Sequence, residues 1–560
     1  MIAPPGLVEA AREALPGFRV LTGATVVGVP VGDAGFVRDA ATRIVDGATA
    51  ARRLLINRLS LQESGYVMRV ADGWPRVQAV FRAVPPQVAA DAAAAHDEAM
   101  AADVARLFGE PDPRVMARYP LAAAIPLAHR LGGLQMPRAR ILSGVAFASG
   151  QVQVRRLLDS AFPPPPAAGR PTPSVHALPL FLPRLPGRPA RGEDGLPVEG
   201  PQCHGSGRCH MPPAEGCERL MCPPCCALAR GGAGGCAACA RLADEAATAL
   251  EAETPGITAE VRPAVEASAR ACGAPVAAAW QSFVLATRYH QPQRAATCAL
   301  MGFKRDALTA ALRRDGHLRE LRLLEAASAP SAYAFLTAAP VAALRLTDAT
   351  FTTFLRLRIG APVLAPGSTR CKTRAGEDPR SCTLNGCARG SADAHALSCK
   401  CGGFGIASHD LVRAAIAGTL RGWSLGVAEE THALMARPGA DKMDIIQHTA
   451  GVGRVPLCID FCRHFGAGAA ELAAAEHAKE VKYSTHCAIP VTLRGFAYDE
   501  LGRTGPQADE VVSLLVTAGR RGPRGRRPPG RPGHRALGTL FLCSRARHGR
   551  AARLLRRAQP

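Results

Sequence analysis

Two aspartates in the last third of the chain could be brought face to face by a short hairpin. Asp444 lies in MDIIQH and Asp460 in VPLCIDF, two apolar segments that predict strands. The GVG at 451–453 is the expected turn, and a bend about Val452 places the two aspartates opposite each other, with Cβ atoms ~4.5–5.5 Å apart. Carboxylates this close repel unless a cation lies between them, and Mg²⁺ prefers such oxygen ligands. The alternative is a surface hairpin with aspartates at its ends.

Further charged residues could complete a site around this hairpin. The predicted strand SLGVAEE ends in Glu429 and Glu430, which could add a third carboxylate. AELAAAEHAKEVKY is strongly helical, and Lys479 and Lys482 share one face of that helix because they are three residues apart. A lysine beside a metal could stabilise negative charge on a phosphate. The alternative is a solvated helix face, with Glu476 and Glu480 as partners of the lysines.

A first cysteine cluster has the pattern C-x4-C-x7-H-x3-C. Its close pairs of soft ligands, with glycines between them, are typical of a tetrahedral zinc site. The predicted zinc ligands are Cys382, Cys387, His395 and Cys399. Cys371 and Cys401 are possible substitutes, and incidental cysteines on a loop are the alternative.

A second cluster occupies residues 203–239 and contains the knuckles CPPC and CAAC. Two C-x2-C pairs predict one or two zinc ions, although the assignment of ligands stays open within the cluster. The candidate ligands are Cys222, Cys225, Cys236 and Cys239. A module with so little apolar sequence would take much of its folding free energy from the metal.

Composition favours a polyanionic partner. The 560 residues carry a formal net charge of +22, which suits nucleic acid first and an anionic membrane second. We expect no secretion signal, because no charged segment followed by an apolar one opens the chain, and no membrane span. The 19 cysteines are therefore expected to be reduced, so that close clusters indicate metal rather than disulfides.

The pattern along the chain predicts a multi-domain, mainly α protein with a small α/β domain near its C-terminus. We expect a zinc-stapled insert and a disordered basic tail. The predicted segments are 1–155, short strands followed by helices; 156–200, a Pro/Gly-rich linker; 201–241, the Cys-rich module; 242–365, a helical connector; 366–403, the first zinc cluster; 404–515, the α/β domain; and 516–560, the disordered Arg-rich tail.

Taken together, these motifs resemble one family. HALSCKCGGFGIASHDLVRAAI, EE, MDII, CIDF and KEVKY, in that order, look like the C-terminal end of site-specific non-LTR retrotransposon polyproteins. That end carries a CCHC zinc knuckle and a restriction-like endonuclease of the PD-(D/E)-x-K type. The resemblance implies that Asp444 and Asp460 are the catalytic aspartates and that Lys479 or Lys482 is the lysine. His409 and Asp410 match a basic/His-Asn element.

The same resemblance extends to residues 20–150, which are similar to the end of a reverse-transcriptase palm and its thumb-like region. It implies a magnesium-dependent DNA endonuclease located in the nucleus, with DNA, element RNA and a separate polymerase chain as candidate partners. Two departures stand out: Met443 replaces the usual proline, and Cys462 occupies the usual lysine position.

No DNA synthesis is expected from this chain, because the sequence contains no Asp-Asp dipeptide of the kind that such polymerases use. Two alternatives to an active nuclease remain at the level of sequence. One is a catalytically dead, zinc-dependent nucleic-acid-binding remnant, and the other is an arginine-tailed scaffold protein with structural zincs.

Overall fold

The computed structural model describes residues 5–161, 237–363 and 404–521, and these are mostly helical. Short gaps within these ranges lie at 15, 18–19, 27, 111, 288–291, 338, 341–344, 423–424, 432–442, 449–454, 465–467, 485–486, 488 and 500. The described chain forms two compact units, one of residues 1–52, 71–100 and 137–310 and one of residues 53–70, 101–136 and 311–560.

The first described range holds a small hairpin and helices. Its strands β1 (Gly23–Val26) and β2 (Val29–Gly32) are antiparallel, as the β-rich segment at 20–32 predicts. The helices of this range are α1 (Val8–Ala14), α2 (Ala34–Ile56), α3 (Leu61–Val67), α4 (Trp74–Ala83), α5 (Ala90–Leu107), α6 (Pro113–Met116) and α7 (Ala139–Ala161).

The second described range is a run of helices. They are α8 (Ala237–Glu253), α9 (Ile257–Cys272), α10 (Val276–Thr287), α11 (Pro292–Arg314), α12 (Leu318–Ala327), α13 (Pro330–Thr337) and α14 (Asp348–Arg358). The sequence offers Thr347 or Asp348 as the cap of α14, and the structure shows Thr347, whose hydroxyl accepts a hydrogen bond from the backbone N–H of Thr350.

In the first unit, α7 packs against α4 and α9. Asp97 on α5 caps the N-terminus of α7. Its carboxylate accepts hydrogen bonds from the backbone N–H groups of Ala139 and Arg140. A helix N-terminus leaves such N–H groups without intrahelical partners, so an acidic side chain there stabilises the helix.

The third described range forms a mixed four-stranded sheet with three helices. The strands are β3 (Val427–Thr431), β4 (Met443–Gln447), β5 (Leu457–Arg463) and β6 (Thr492–Tyr498), and the helices are α15 (Phe404–Gly422), α16 (Ala469–Ser484) and α17 (Pro506–Arg521). The strand order is β3-β4-β5-β6, with the first two pairs antiparallel and the last pair parallel. Helix α16 supplies the connection that a parallel pair requires.

Apolar side chains cover both faces of this sheet. Ile445, Ile459 and Phe461 pack against α15 and α17, whereas Ile446 and Cys458 pack against Tyr483 of α16. The sheet is therefore enclosed by helices, which explains why β4 and β5 are buried along most of their length.

The described part of the chain agrees with the expectation of a mainly α protein that carries a small α/β element near the C-terminus. Helix α17 continues to Arg521, into the segment from 516 onward that the sequence predicts to be a disordered tail. Among the described residues, no helix combines the length and the apolar character needed to cross a membrane.

Candidate active site

Strands β4 and β5 bring Asp444 and Asp460 together. Ile445 pairs with Ile459, which is the register predicted from the bend about Val452. The two aspartates follow this pair on neighbouring strands, are only 6% and 5% exposed, and their carboxyl groups form a hydrogen bond with each other. Since ionised carboxylates only accept hydrogen bonds, this contact requires a proton shared by the pair, or a cation in its place.

Asp444 is held by two hydrogen-bond donors. Its Oδ2 atom lies 3.0 Å from Nε2 of His409 on α15 and accepts a 2.7 Å hydrogen bond from the backbone N–H of Phe461. Burial raises the pKa of Asp444, but the hydrogen bonds it accepts outweigh burial and hold that pKa below its usual range. Asp444 is therefore the member of the pair that stays ionised.

The pKa of Asp460 is shifted in the opposite direction to that of Asp444. Burial first, and then the hydrogen bond with Asp444, raise the pKa of Asp460 to about 6, although Lys479 acts in the other direction. The Nζ atom of Lys479 lies 2.5 Å from Oδ2 of Asp460. Burial lowers the pKa of Lys479, but the bond to Asp460 outweighs burial and leaves the pKa raised, so this lysine is a cation.

The structure separates the two candidate lysines. Lys482, one turn further along α16, donates a hydrogen bond to the Tyr483 hydroxyl and lies over that ring, with Nζ 4.4 Å from its centroid. Lys479 is thus the lysine that meets the aspartate pair.

The third candidate carboxylate, Glu430, lies at the end of β3 next to β4. Its neighbours in the register, Glu429 and Thr431, pair with Ile445 and Met443, so Glu430 faces the position of Asp444 across the strands. Its side chain forms an ion pair with Arg413 of α15.

The backbone at this position is unusual. Glu430 has a φ of 45°, a left-handed conformation that side chains other than glycine adopt at a cost of about 1–3 kcal/mol. Each of the three carboxylates on β3, β4 and β5 has a nitrogen donor from a flanking helix: Arg413 for Glu430, His409 for Asp444 and Lys479 for Asp460.

Cys462, two residues after Asp460, does not supply a charged group. It packs in a small apolar cluster with Leu472 and Ala497. Burial raises the pKa of its thiol to about 12. The role that lysine would play at this position is therefore open to Lys479, which reaches the same aspartate from α16.

Glu476 corrects the interpretation of α16 as a solvated face. Its side chain is fully buried, and it accepts hydrogen bonds from the backbone N–H groups of Ala497, Gln507 and Ala508. Two of these N–H groups begin α17. A Cβ at Gly505 would lie 2.3 Å from the Glu476 carboxyl carbon, so only glycine leaves room for this approach.

His409 is a site residue to which sequence reasoning gave no role. The motif match placed it beside a basic/His-Asn element, but its contact with Asp444 depends on how α15 docks on the sheet, and a single sequence does not contain that information. An ionisable residue on an otherwise apolar helix face, between Ile406 and Val412, was the available signal.

The predicted zinc ligands lie outside the described residues. This applies to Cys382, Cys387, His395 and Cys399, and to Cys222, Cys225 and Cys236. Cys239 falls in α8, and its side chain is outside the described part. Both zinc sites remain predictions.

The donor set around Asp444 and Asp460 fits magnesium. Within the described ranges, no group of three or more His, Cys, Asp and Glu side chains is arranged to hold a metal ion. Mg²⁺ is typically held by one or two carboxylates and keeps several waters, so a full cage is not required. The two buried carboxyl groups supply that number of protein ligands.

Chemically, the arrangement offers two carboxyl groups and one ammonium group where β4, β5 and α16 meet. Such a set suits stabilisation of negative charge on a phosphate. A comparison with protein-family models gives no match for this chain, and no curated protein is similar to it.

Proposed function

We propose that residues 404–515 form a magnesium-dependent endonuclease domain that nicks DNA, and that the chain derives from a non-LTR retrotransposon. The observation that carries this proposal is the convergence of Asp444, Asp460 and Lys479. Three ionisable groups, buried or half-buried where β4, β5 and α16 meet, are costly to keep for stability alone, because each must be desolvated.

The charges of the chain support a phosphate substrate that contacts the two aspartates through a bound cation. The chain as a whole carries +22, which attracts a polyanion, whereas the hydrogen-bonded carboxyl pair is a local acidic point within it. A polyanion would be repelled from such a point unless a divalent cation occupied it. Asp444 and Asp460 would hold that cation.

When bound, Mg²⁺ supplies polarisation of the scissile phosphate and a lowered pKa of a coordinated water. Lys479 contributes a permanent positive charge beside Asp460, where it offsets the charge that develops on the phosphorane-like transition state. The apolar, helix-covered surroundings of β4 and β5 lower the local dielectric constant, which strengthens both interactions.

The remaining parts of the proposal rest on sequence. The zinc knuckle at 366–403, the Cys-rich module and the arginine-rich tail would bind DNA, and element RNA as well, through phosphates, with affinity that falls steeply as salt rises. Residues 1–155 would be the end of a palm and a thumb-like region. A nuclear location and a separate polymerase chain belong to the same proposal.

The test is nicking of supercoiled plasmid by the zinc-loaded full chain in Mg²⁺. We expect Asp460→Asn to lose about 10³-fold or more in rate, and Asp244→Asn, which changes an exposed carboxylate on α8, to nick like the wild type. Equal nicking by Asp460→Asn and wild type would remove the assignment.

The two lysines of α16 provide a second arm of this experiment. Lys479→Met should slow nicking by about 10²-fold, whereas Lys482→Met, one turn away on the same helix, should stay within about threefold of the wild type. Equal losses would assign both lysines to general DNA binding.

A dead, zinc-dependent nucleic-acid-binding remnant is the alternative function. Cys462 at the expected lysine position is the observation that favours it. Retention of plasmid without any Mg²⁺-dependent nicking by the wild-type chain would support the remnant.

A further inference from the structure

His409 bridges two carboxylates. Its Nδ1 lies 3.3 Å from Oδ1 of Asp410, the next residue of α15, and its Nε2 lies 3.0 Å from Oδ2 of Asp444. Ionised carboxylate oxygens accept and do not donate, so both ring nitrogens donate. The imidazole is therefore a two-ended donor between α15 and β4.

The orientation of the ring is fixed by packing. The ring of Phe461 meets the imidazole edge to face, with centroids 6.0 Å apart, and Phe461 itself packs against Phe496 of β6. Asp410 is also approached by Arg413, at 3.4 Å, one turn along α15. The histidine is only 26% exposed and is held from several sides, so its Nε2 has a defined position.

The two oxygens of Asp444 are consequently not equivalent. Oδ2 accepts hydrogen bonds from both His409 and the backbone N–H of Phe461, which use its two lone pairs. Oδ1 is the oxygen left to bind a metal. An unrestrained aspartate would rotate about χ2 and present either oxygen.

We propose that His409 is a positioning residue that occupies Oδ2 of Asp444 and so presents Oδ1 alone to the divalent cation. This inference rests on the proposed function, because it assumes that Asp444 is a metal ligand. Partners of this kind orient the groups that contact the metal, and their loss typically lowers metal affinity about 10–100-fold.

The experiment measures Mn²⁺ binding by electron paramagnetic resonance on zinc-loaded full chain without DNA. His409→Leu removes the donor, whereas His409→Gln retains an N–H near the position of Nε2. We expect His409→Leu to weaken Mn²⁺ binding about 10–100-fold and His409→Gln to remain within about threefold. His477→Leu, on the exposed face of α16, is the matched control and should bind like the wild type.

A kinetic arm separates positioning from folding. For His409→Leu, the Mg²⁺ concentration that gives half-maximal nicking should rise by the same factor, while the rate at saturating Mg²⁺ stays within about threefold. Thermal melting of each variant shows whether the fold is retained. Wild-type affinity in His409→Leu, or equal weakening in both folded His409 variants, would overturn the positioning role.

The results that would contradict the proposed endonuclease differ from those that would contradict only the role of His409. If wild-type chain and Asp460→Asn bind Mn²⁺ equally, the carboxyl pair is not a metal site, and both proposals fall. If the wild type binds Mn²⁺ and nicks DNA while His409→Leu matches it, only the positioning role is lost.

Discussion

Two buried carboxylates, Glu476 of α16 and Asp460 of β5, show how differently the same chemical group is used. Glu476 is fully buried and accepts three backbone N–H groups, whereas Asp460 is 5% exposed and meets another carboxyl group and a lysine. Burial is the largest cause that raises the pKa of each. Burial by itself therefore does not distinguish a structural acid from a functional one.

The distinction lies in the partners. Backbone N–H donors satisfy Glu476 completely within the fold, and they join α16 to β6 and to the start of α17. Asp460 lies beside a group of its own sign, which a stable fold would avoid unless a cation is bound. The comparison indicates a stabilising role for Glu476 and supports the role proposed for Asp460 in the endonuclease.

The largest expected effect is on stability at Glu476. Glu476→Ala leaves three backbone N–H groups without their acceptor, so the free energy of unfolding should fall by about 4 kcal/mol. Urea unfolding followed by circular dichroism measures this loss. Glu471→Ala, an exposed glutamate in the first turn of the same helix, should cost less than about 1 kcal/mol. Equal losses of stability would mean that the buried acceptor contributes no more than an exposed glutamate of the same helix.

A smaller effect is expected in the pH dependence of stability. The pKa of Asp460 is about 6 in the folded chain and 3.8 ordinarily, so its protonated form favours folding. That contribution is complete below pH 3.8 and is lost as the pH rises through 6, an amount of about 3 kcal/mol.

Asp460→Asn cannot titrate and should lack this loss. The stability of the wild type relative to Asp460→Asn should therefore decline between pH 4 and pH 6, measured by urea unfolding without added divalent cations. The pKa of Asp444 is shifted downward, so its own titration falls below this window. Parallel pH profiles for the two proteins would mean that folding does not raise the pKa of Asp460.

Local sequence patterns were sufficient to predict strands β4 and β5 and the pairing register that brings the two aspartates together. Apolar composition and turn residues predicted β4 and β5, and the hairpin symmetry predicted the register in which Ile445 pairs with Ile459, next to the two aspartates. The cap of α14, which the sequence limits to Thr347 or Asp348, is similarly local.

Tertiary contacts account for what the sequence did not reveal. Lys479 and Lys482 share a helix face, and only the docking of α16 on β5 decides which one meets Asp460. Glu476 looked like a surface residue because its three donors come from β6 and α17, far along the chain. His409 depends on the docking of α15 in the same way.

The most direct measurement of the central claim is the anomalous scattering of crystals soaked in Mn²⁺. The account predicts a peak about 2.2 Å from one carboxylate oxygen of Asp444 and one of Asp460. It also predicts that the peak is lost in Asp460→Asn. Well-ordered aspartates with no peak between them, or a peak that persists in Asp460→Asn, would contradict the account.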